Sequence, residues 1–164
     1  PSLAAIIATL LVTVAMVTLF TLGLALLPDL DGTPVTLQRL FALPFRPVMW
    51  LIGVPWTETG LASSLMATKT VLNEFVAYLN FSQLPPDALT PRTMMILTYA
   101  LCGFANIGSE GIMIGSVGAL VPERRYDIVG WGMRSQLCEP NATGMNGGVA
   151  GAVEGAVKSS DAGG

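Results

Sequence analysis

The chain has 164 residues, of which 52% are hydrophobic and 12% charged, with a mean hydropathy of +0.62. A soluble domain carries roughly 25% charged residues, so this composition points to lipid as the main solvent. The net charge of −3 argues against a nucleic-acid partner, and the absence of histidine removes the commonest general base and metal ligand.

The first predicted element occupies residues 1–28. Nothing from 1 to 27 is charged. A helix rises ~1.5 Å per residue and the hydrocarbon layer is ~30 Å thick, so about 20 residues suffice to cross it. Residues 2–27 therefore read as a transmembrane helix; a buried core helix is the alternative. Its threonines do not break it, because a hydroxyl bonds back to a carbonyl one turn earlier. Pro28 stops it, and Asp29, Asp31, Gly32 and Pro34 make a polar, acidic turn on the side away from the cytoplasm. The chain starts at Pro1 with no signal peptide in view, which suggests a processed chain or a fragment.

Residues 36–52 are apolar but carry Arg39, Pro44, Arg46, Pro47 and Trp50, the composition of a helix lying at the membrane interface. Residues 56–82 then hold two apolar pieces, near 57–68 and 73–81, each too short to span. Thr68, Lys69, Thr70, Asn73 and Glu74 sit at the join. Two half-length segments around a polar break predict a re-entrant hairpin; a single amphipathic surface helix is the alternative. Lys69 serves either a structural ion pair or carbonyl cap, or a ligand.

A proline-rich loop follows, and Thr90-Pro91 marks a helix start. Residues 91–120 are apolar but interrupted by Gly103, Asn106, Gly108, Ser109, Glu110 and Gly111, which predicts a discontinuous helix. The glycines also suit close helix packing, and both readings can hold together. Arg124 and Arg125 are the densest positive charge and place their loop in the cytoplasm. Residues 127–157 are expected to be a final, poorly formed span, interrupted by Glu139, Pro140, Asn141, Asn146 and many glycines, with 158–164 a disordered tail. Of the two cysteines, Cys102 is expected to be a small buried thiol.

No nucleophile elbow, P-loop, Ser-His or Cys-His pair, or metal-ligand cluster is present, so the chain is not expected to be an enzyme. The pair Glu74 and Glu110 imitates a carboxylate dyad, but nothing in the spacing makes them meet. What remains is a polar set in an apolar frame, with Thr70, Asn73 and Glu74 at one break and Phe104, Asn106 and Ser109 at the other. Carboxylate, amide and hydroxyl groups beside an aromatic ring suit a neutral polyol or a nucleoside.

At these residues the sequence resembles a known family. TKTVLNEFVAY at 68–78 looks like the hairpin tip of the concentrative nucleoside transporters, and YALCGFANIGS at 99–109 like the broken helix that follows it. GVPW at 53–56, Pro91-Arg92 and PERR at 122–125 also fall where that family has them, and the likeness runs from about residue 2 to 134. Glu110, where the family has an apolar residue, and the polar final segment are departures.

The resemblance implies an all-α membrane protein, the second inverted repeat of a nucleoside-transporter fold, with a scaffold transmembrane helix, interfacial helix, re-entrant hairpin, broken helix and last span. It implies the C-terminal half of a cation-coupled symporter that takes up nucleosides by an elevator-type movement. By the same resemblance, Glu74, Asn106 and Ser109 hold ribose hydroxyls and Phe104 lies beside the sugar. No cofactor is expected beyond coupling Na+ or H+, which, like the nucleobase, binds mainly to an N-terminal repeat outside this chain. The expected setting is a homotrimer, multi-pass in the bacterial inner membrane. A non-transporting membrane component, or half of a symporter for another small polar solute, would fit the same residues.

Overall fold

The computed structural model describes residues 3–24, 26, 36–103 and 105–161, and within the first helix all side chains except those at positions 5, 6, 9, 10, 13 and 17. The acidic turn after Pro28 and the aromatic ring of Phe104 lie outside the described residues.

Seven α-helices follow one another in the described chain. The first, α1, runs over Leu3–Leu24 and rests mainly on α6 (Ile107–Leu120). Its described side chains are mostly apolar and mostly exposed, with Leu11, Val12, Val14, Met16, Leu19 and Phe20 all more than half accessible. Counted over the described residues alone, no helix is long and apolar enough to cross a membrane.

The helix expected at 36–52 is α2, Leu37–Leu51. The Thr36 hydroxyl accepts from the Arg39 amide at 3.3 Å and caps its start. Behind it the chain turns through Gly53, whose φ of +104° belongs to the left-handed region that glycine tolerates. A Cβ there would also meet Arg92 Nη2 at 3.0 Å.

The core sits on α3 (Thr59–Val71), ten of whose thirteen residues are buried. Leu65 and Met66 pack with Met49 of α2, Ala77 of α4 (Glu74–Ser82), and Ile96, Leu97 and Ala100 of α5 (Pro91–Ala100). Four hydroxyls in and beside this core are satisfied locally: Thr59 donates to Trp56 O, Ser63 to Gly60 O, Thr68 to Ser64 O and Thr70 to Met66 O, at 2.7–3.0 Å. Back-bonding of this kind lets polar residues be buried without the cost of an unmet donor.

Residues 56–82 are thus two helices, with the interruption at Leu72 and Asn73. Lys69, expected at the join, lies inside α3 because the helix continues past it to Val71. Residues 91–120 are likewise two helices, separated at 101–106. Gly108, Ser109, Glu110 and Gly111 fall within α6 instead of interrupting it. Thr90 caps α5, accepting from the Thr93 amide, and Pro91 is its first residue. Cys102, expected to be buried, is exposed, because it lies in the break and not on a packed helical face; it and Cys138 are free thiols.

The final segment departs furthest from expectation. Beyond a 3-10 turn at Pro122–Arg124, a single helix, α7, runs 37 residues from Arg125 to Asp161, through Pro140 and through Lys158–Asp161, where a tail was expected. Its glycines explain why. Gly147 lies so close to α5 that a Cβ would stand 2.5 Å from Ile96 O, and one at Gly148 would stand 3.1 Å from Ile52 O. Gly151 likewise faces the Ile96 side chain and Gly144 the Ile52 side chain. These residues form two parallel stripes at i, i+4 spacing that let the α7 backbone approach α5 and the end of α2, as small residues do between helices in lipid. Tertiary packing here outweighs the low helix propensity of glycine, about 1 kcal/mol per residue against alanine. Past those stripes, an i, i+4 ion pair between Lys158 and Glu154 supports the last turns.

Candidate functional site

Both interruptions end in the same way. Asn73 is extended (φ −168°, ψ 170°) and its side-chain oxygen accepts from the Val76 amide at 2.9 Å. Asn106 is extended (φ −147°, ψ 162°) and its side-chain oxygen accepts from the Ser109 amide at 2.8 Å. Asparagine is a preferred N-cap because it satisfies one of the orphan amides of the first turn. At α6 the arrangement is reciprocal, for Ser109 Oγ also accepts from the Asn106 amide at 3.1 Å. This capping box holds Asn106, which is only 7% exposed, rigidly at the break.

The two breaks border one cleft of about 300 Å³. Val71, Leu72 and Asn73 line it at the first and Gly108, in the first turn of α6, lines it beside the second, with Val76 of α4 and Val14 and Thr18 of α1 completing the wall. Of the residues singled out in the sequence, Asn73 lines this cleft directly. Glu74 and Ser109 each follow a lining residue in the chain. Thr70 stands in the last turn of α3, 4% exposed, with its hydroxyl engaged by Met66 O.

Glu74 opens α4 and is half-buried, and among the described residues its carboxylate has no hydrogen-bond or ionic partner. Its backbone is set by the Asn73 cap, and its carboxylate is an acceptor available to donors. Glu110 is different. One of its carboxylate oxygens lies 3.5 Å from Ser135 Oγ of α7, and the other packs where a Cβ on Gly132 would overlap it. It faces α7 and does not line the cleft.

The two breaks are joined through Lys69. Its side chain is fully buried, and Nζ donates to Ala100 O at 3.1 Å, to Glu139 Oε1 at 3.1 Å and to Thr143 Oγ1 at 3.3 Å. An ammonium has three protons, and here each has an acceptor. One of them is the carbonyl that ends α5; the other two are on α7. Gly103 is the space this requires, since a Cβ there would overlap the Glu139 carboxylate and stand 2.8 Å from Lys69 Nζ. Of the roles open to Lys69 in the sequence, the structural ion pair and carbonyl cap are those found, and the partner is Glu139 instead of nearby Glu74. This junction was not foreseen. Its available signal was one lysine and one glutamate in a chain with few charges, each needing an opposite charge if buried.

Residues 2–151 match the family described as the Na+ dependent nucleoside transporter C-terminus. The chain belongs to that family. Among curated transporters of the same kind, it is 43% identical over 117 residues to YutK, an uncharacterised transporter of Bacillus subtilis, and 33% identical over 121 residues to the nucleoside permease NupC of Helicobacter pylori. Each match takes in 71% of this chain but only 29% of the relative, so the chain spans less than a third of these bacterial proteins. Among solved nucleoside-transporter structures, a CNTnw variant in an outward-facing state superposes with a TM-score of 0.81 at 36% identity, covering 90% of this chain and 38% of that one. CNTnw in an inward-facing substrate-bound state gives a TM-score of 0.69, also at 36% identity, covering 90% of this chain and 37% of that one.

Proposed function

We propose that this chain forms the C-terminal part of a cation-coupled nucleoside symporter in the bacterial plasma membrane. The observation that carries this reading is the single cleft bordered by two interrupted helices, each ending in an asparagine cap, in a chain of this family. Interrupted backbone is tolerated at membrane depth only where protein or a wet cavity surrounds it, and paired breaks are where transporters of this architectural kind bind solute. On this reading Glu74, Asn106 and Ser109 hold ribose hydroxyls, Phe104 lies beside the sugar, and Asn73 and Thr70 shape the hairpin tip. Helices α3 and α4 form a re-entrant hairpin, α5 and α6 a discontinuous helix, and α2 lies at the interface.

Helix α1 is the scaffold span. Its 22 residues rise about 33 Å at ~1.5 Å each, and its exposed apolar surface fits lipid and a trimer interface. The coupling ion, Na+ or H+, binds mainly outside this chain. The region superposes better on the outward-facing than on the inward-facing structure, so its parts are arranged differently in the two states, which an elevator-type movement requires.

The test is uridine uptake by the transporter that carries this chain. Glu74→Gln and Asn106→Ala are each expected to abolish uptake with the protein still present in the membrane. Parental uptake in both variants would remove these residues from the site.

A further inference from the structure

Helix α2 separates its polar and apolar residues onto opposite faces, whereas α1 and α7 show little such separation. Arg39 and Arg46 are seven residues apart, two turns, and so project from one face of it. Between α2 and α3 lies a second cleft, of about 310 Å³, lined by Arg39, Arg46, Ser63, Ser64 and Gly60 among others, with no carboxylate among its described lining residues. The acid next to it in sequence, Glu58, is engaged elsewhere, accepting from the amide and hydroxyl of Thr90 at 3.2 Å.

Arg46 is placed oddly for a structural residue. Its guanidinium lies near the first turn of α3, 3.7 Å from where a Cβ on Gly60 would stand. The residue before that helix, Glu58, provides no side-chain cap. A cation beside the positive end of a helix is unfavourable unless an anion joins the two. Among the described residues it meets the face of Trp56, 5.7 Å away, which leaves its N–H groups for an oxyanion. Trp56 meets Trp50 edge to face at 6.5 Å, and both rings are more than half exposed, as tryptophan is at headgroup depth. Leu40, Leu43 and Leu51, 48–74% exposed, add apolar surface beside the cleft. A charged concavity with an apolar border fits an anion that carries a tail.

We propose that the cleft between α2 and α3 binds the headgroup phosphate of an anionic phospholipid. Arg46 holds the phosphate oxygens, Arg39 adds positive charge on the same face, and the exposed leucines and tryptophans lie against the acyl chains. This rests on the membrane placement proposed above, but not on the transported solute.

The experiment uses the transporter carrying this chain in phosphatidylcholine nanodiscs, with brominated phosphatidylglycerol or brominated phosphatidylcholine as quencher. The signal is the tryptophan fluorescence lost in a Trp50→Phe/Trp56→Phe protein. Brominated phosphatidylglycerol is expected to quench several-fold more than brominated phosphatidylcholine at equal mole fraction. That preference should fall roughly fivefold for each of Arg39→Gln and Arg46→Gln and be retained in Arg46→Lys. Inorganic phosphate in the buffer should leave it unchanged. Equal quenching by the two lipids, survival of the preference in the double glutamine variant, or full competition by inorganic phosphate would each overturn the assignment. Absence of quenching by either lipid would remove the membrane placement and the proposal with it. A retained lipid preference together with parental uridine uptake in the Glu74 and Asn106 variants would sink the ribose site and leave this one standing.

Discussion

The hairpin break at 72–73 and the broken-helix break at 101–106 use the same cap and end with their carboxylates in opposite circumstances. Glu74 follows its asparagine directly, at the first position of α4. Glu110 stands four residues beyond its asparagine, a full turn into α6. A side chain at the first position sits at the open end of the helix, where the chain has just left its neighbour. One turn on, it lies on the flank and meets whatever packs there, here Gly132 and Ser135 of α7. Distance from the cap therefore decides which carboxylate packs against α7.

What holds the two breaks in register is Lys69, and the largest effect is expected there. Lys69→Met leaves the Glu139 carboxylate unpaired and the Ala100 carbonyl unmet, at a cost of about 3 kcal/mol or more. Thermal unfolding in detergent should show it as a clear drop in midpoint, with a smaller drop for Gly103→Ala, which crowds the same junction by one methyl. A Lys69→Met protein that melts with the parent would mean the breaks are held together by something else.

An intermediate effect separates the two caps. Asn106→Ala removes a reciprocal capping box and Asn73→Ala a single bond, so losses of about 2 and about 1 kcal/mol are expected respectively. Amide exchange in the first turns of α6 and α4 reads them independently. Equal loss of protection would show that the Ser109 hydroxyl adds nothing to the second cap.

The smallest effect tests the carboxylates themselves. Glu110→Gln should leave uridine uptake near the parental rate, since it faces α7. Uptake lost as completely as in Glu74→Gln would place both carboxylates on the solute and erase the distinction between the breaks.

Local chemistry made much of this legible in advance. Thr90-Pro91, Asn73 and Asn106 carry their helix starts in their own side chains, and the conflict between apolar runs and polar joins marked both interruptions. The apparent faults of the last segment misled because they are not local. Glycine and glutamate weaken an isolated helix, and only the neighbouring surfaces of Ile52, Ile96 and Lys69 turn them into contacts.

The amino-acid order by itself determined where helices begin, where two of them are interrupted and which polar groups stand at those interruptions, because capping and proline effects act within a few residues. Only the tertiary structure decided that Lys69 pairs with Glu139, that Glu110 faces α7 and that α7 continues to Asp161. Those outcomes depend on which helical faces meet, and Lys69 and Glu139 are seventy positions apart in the chain.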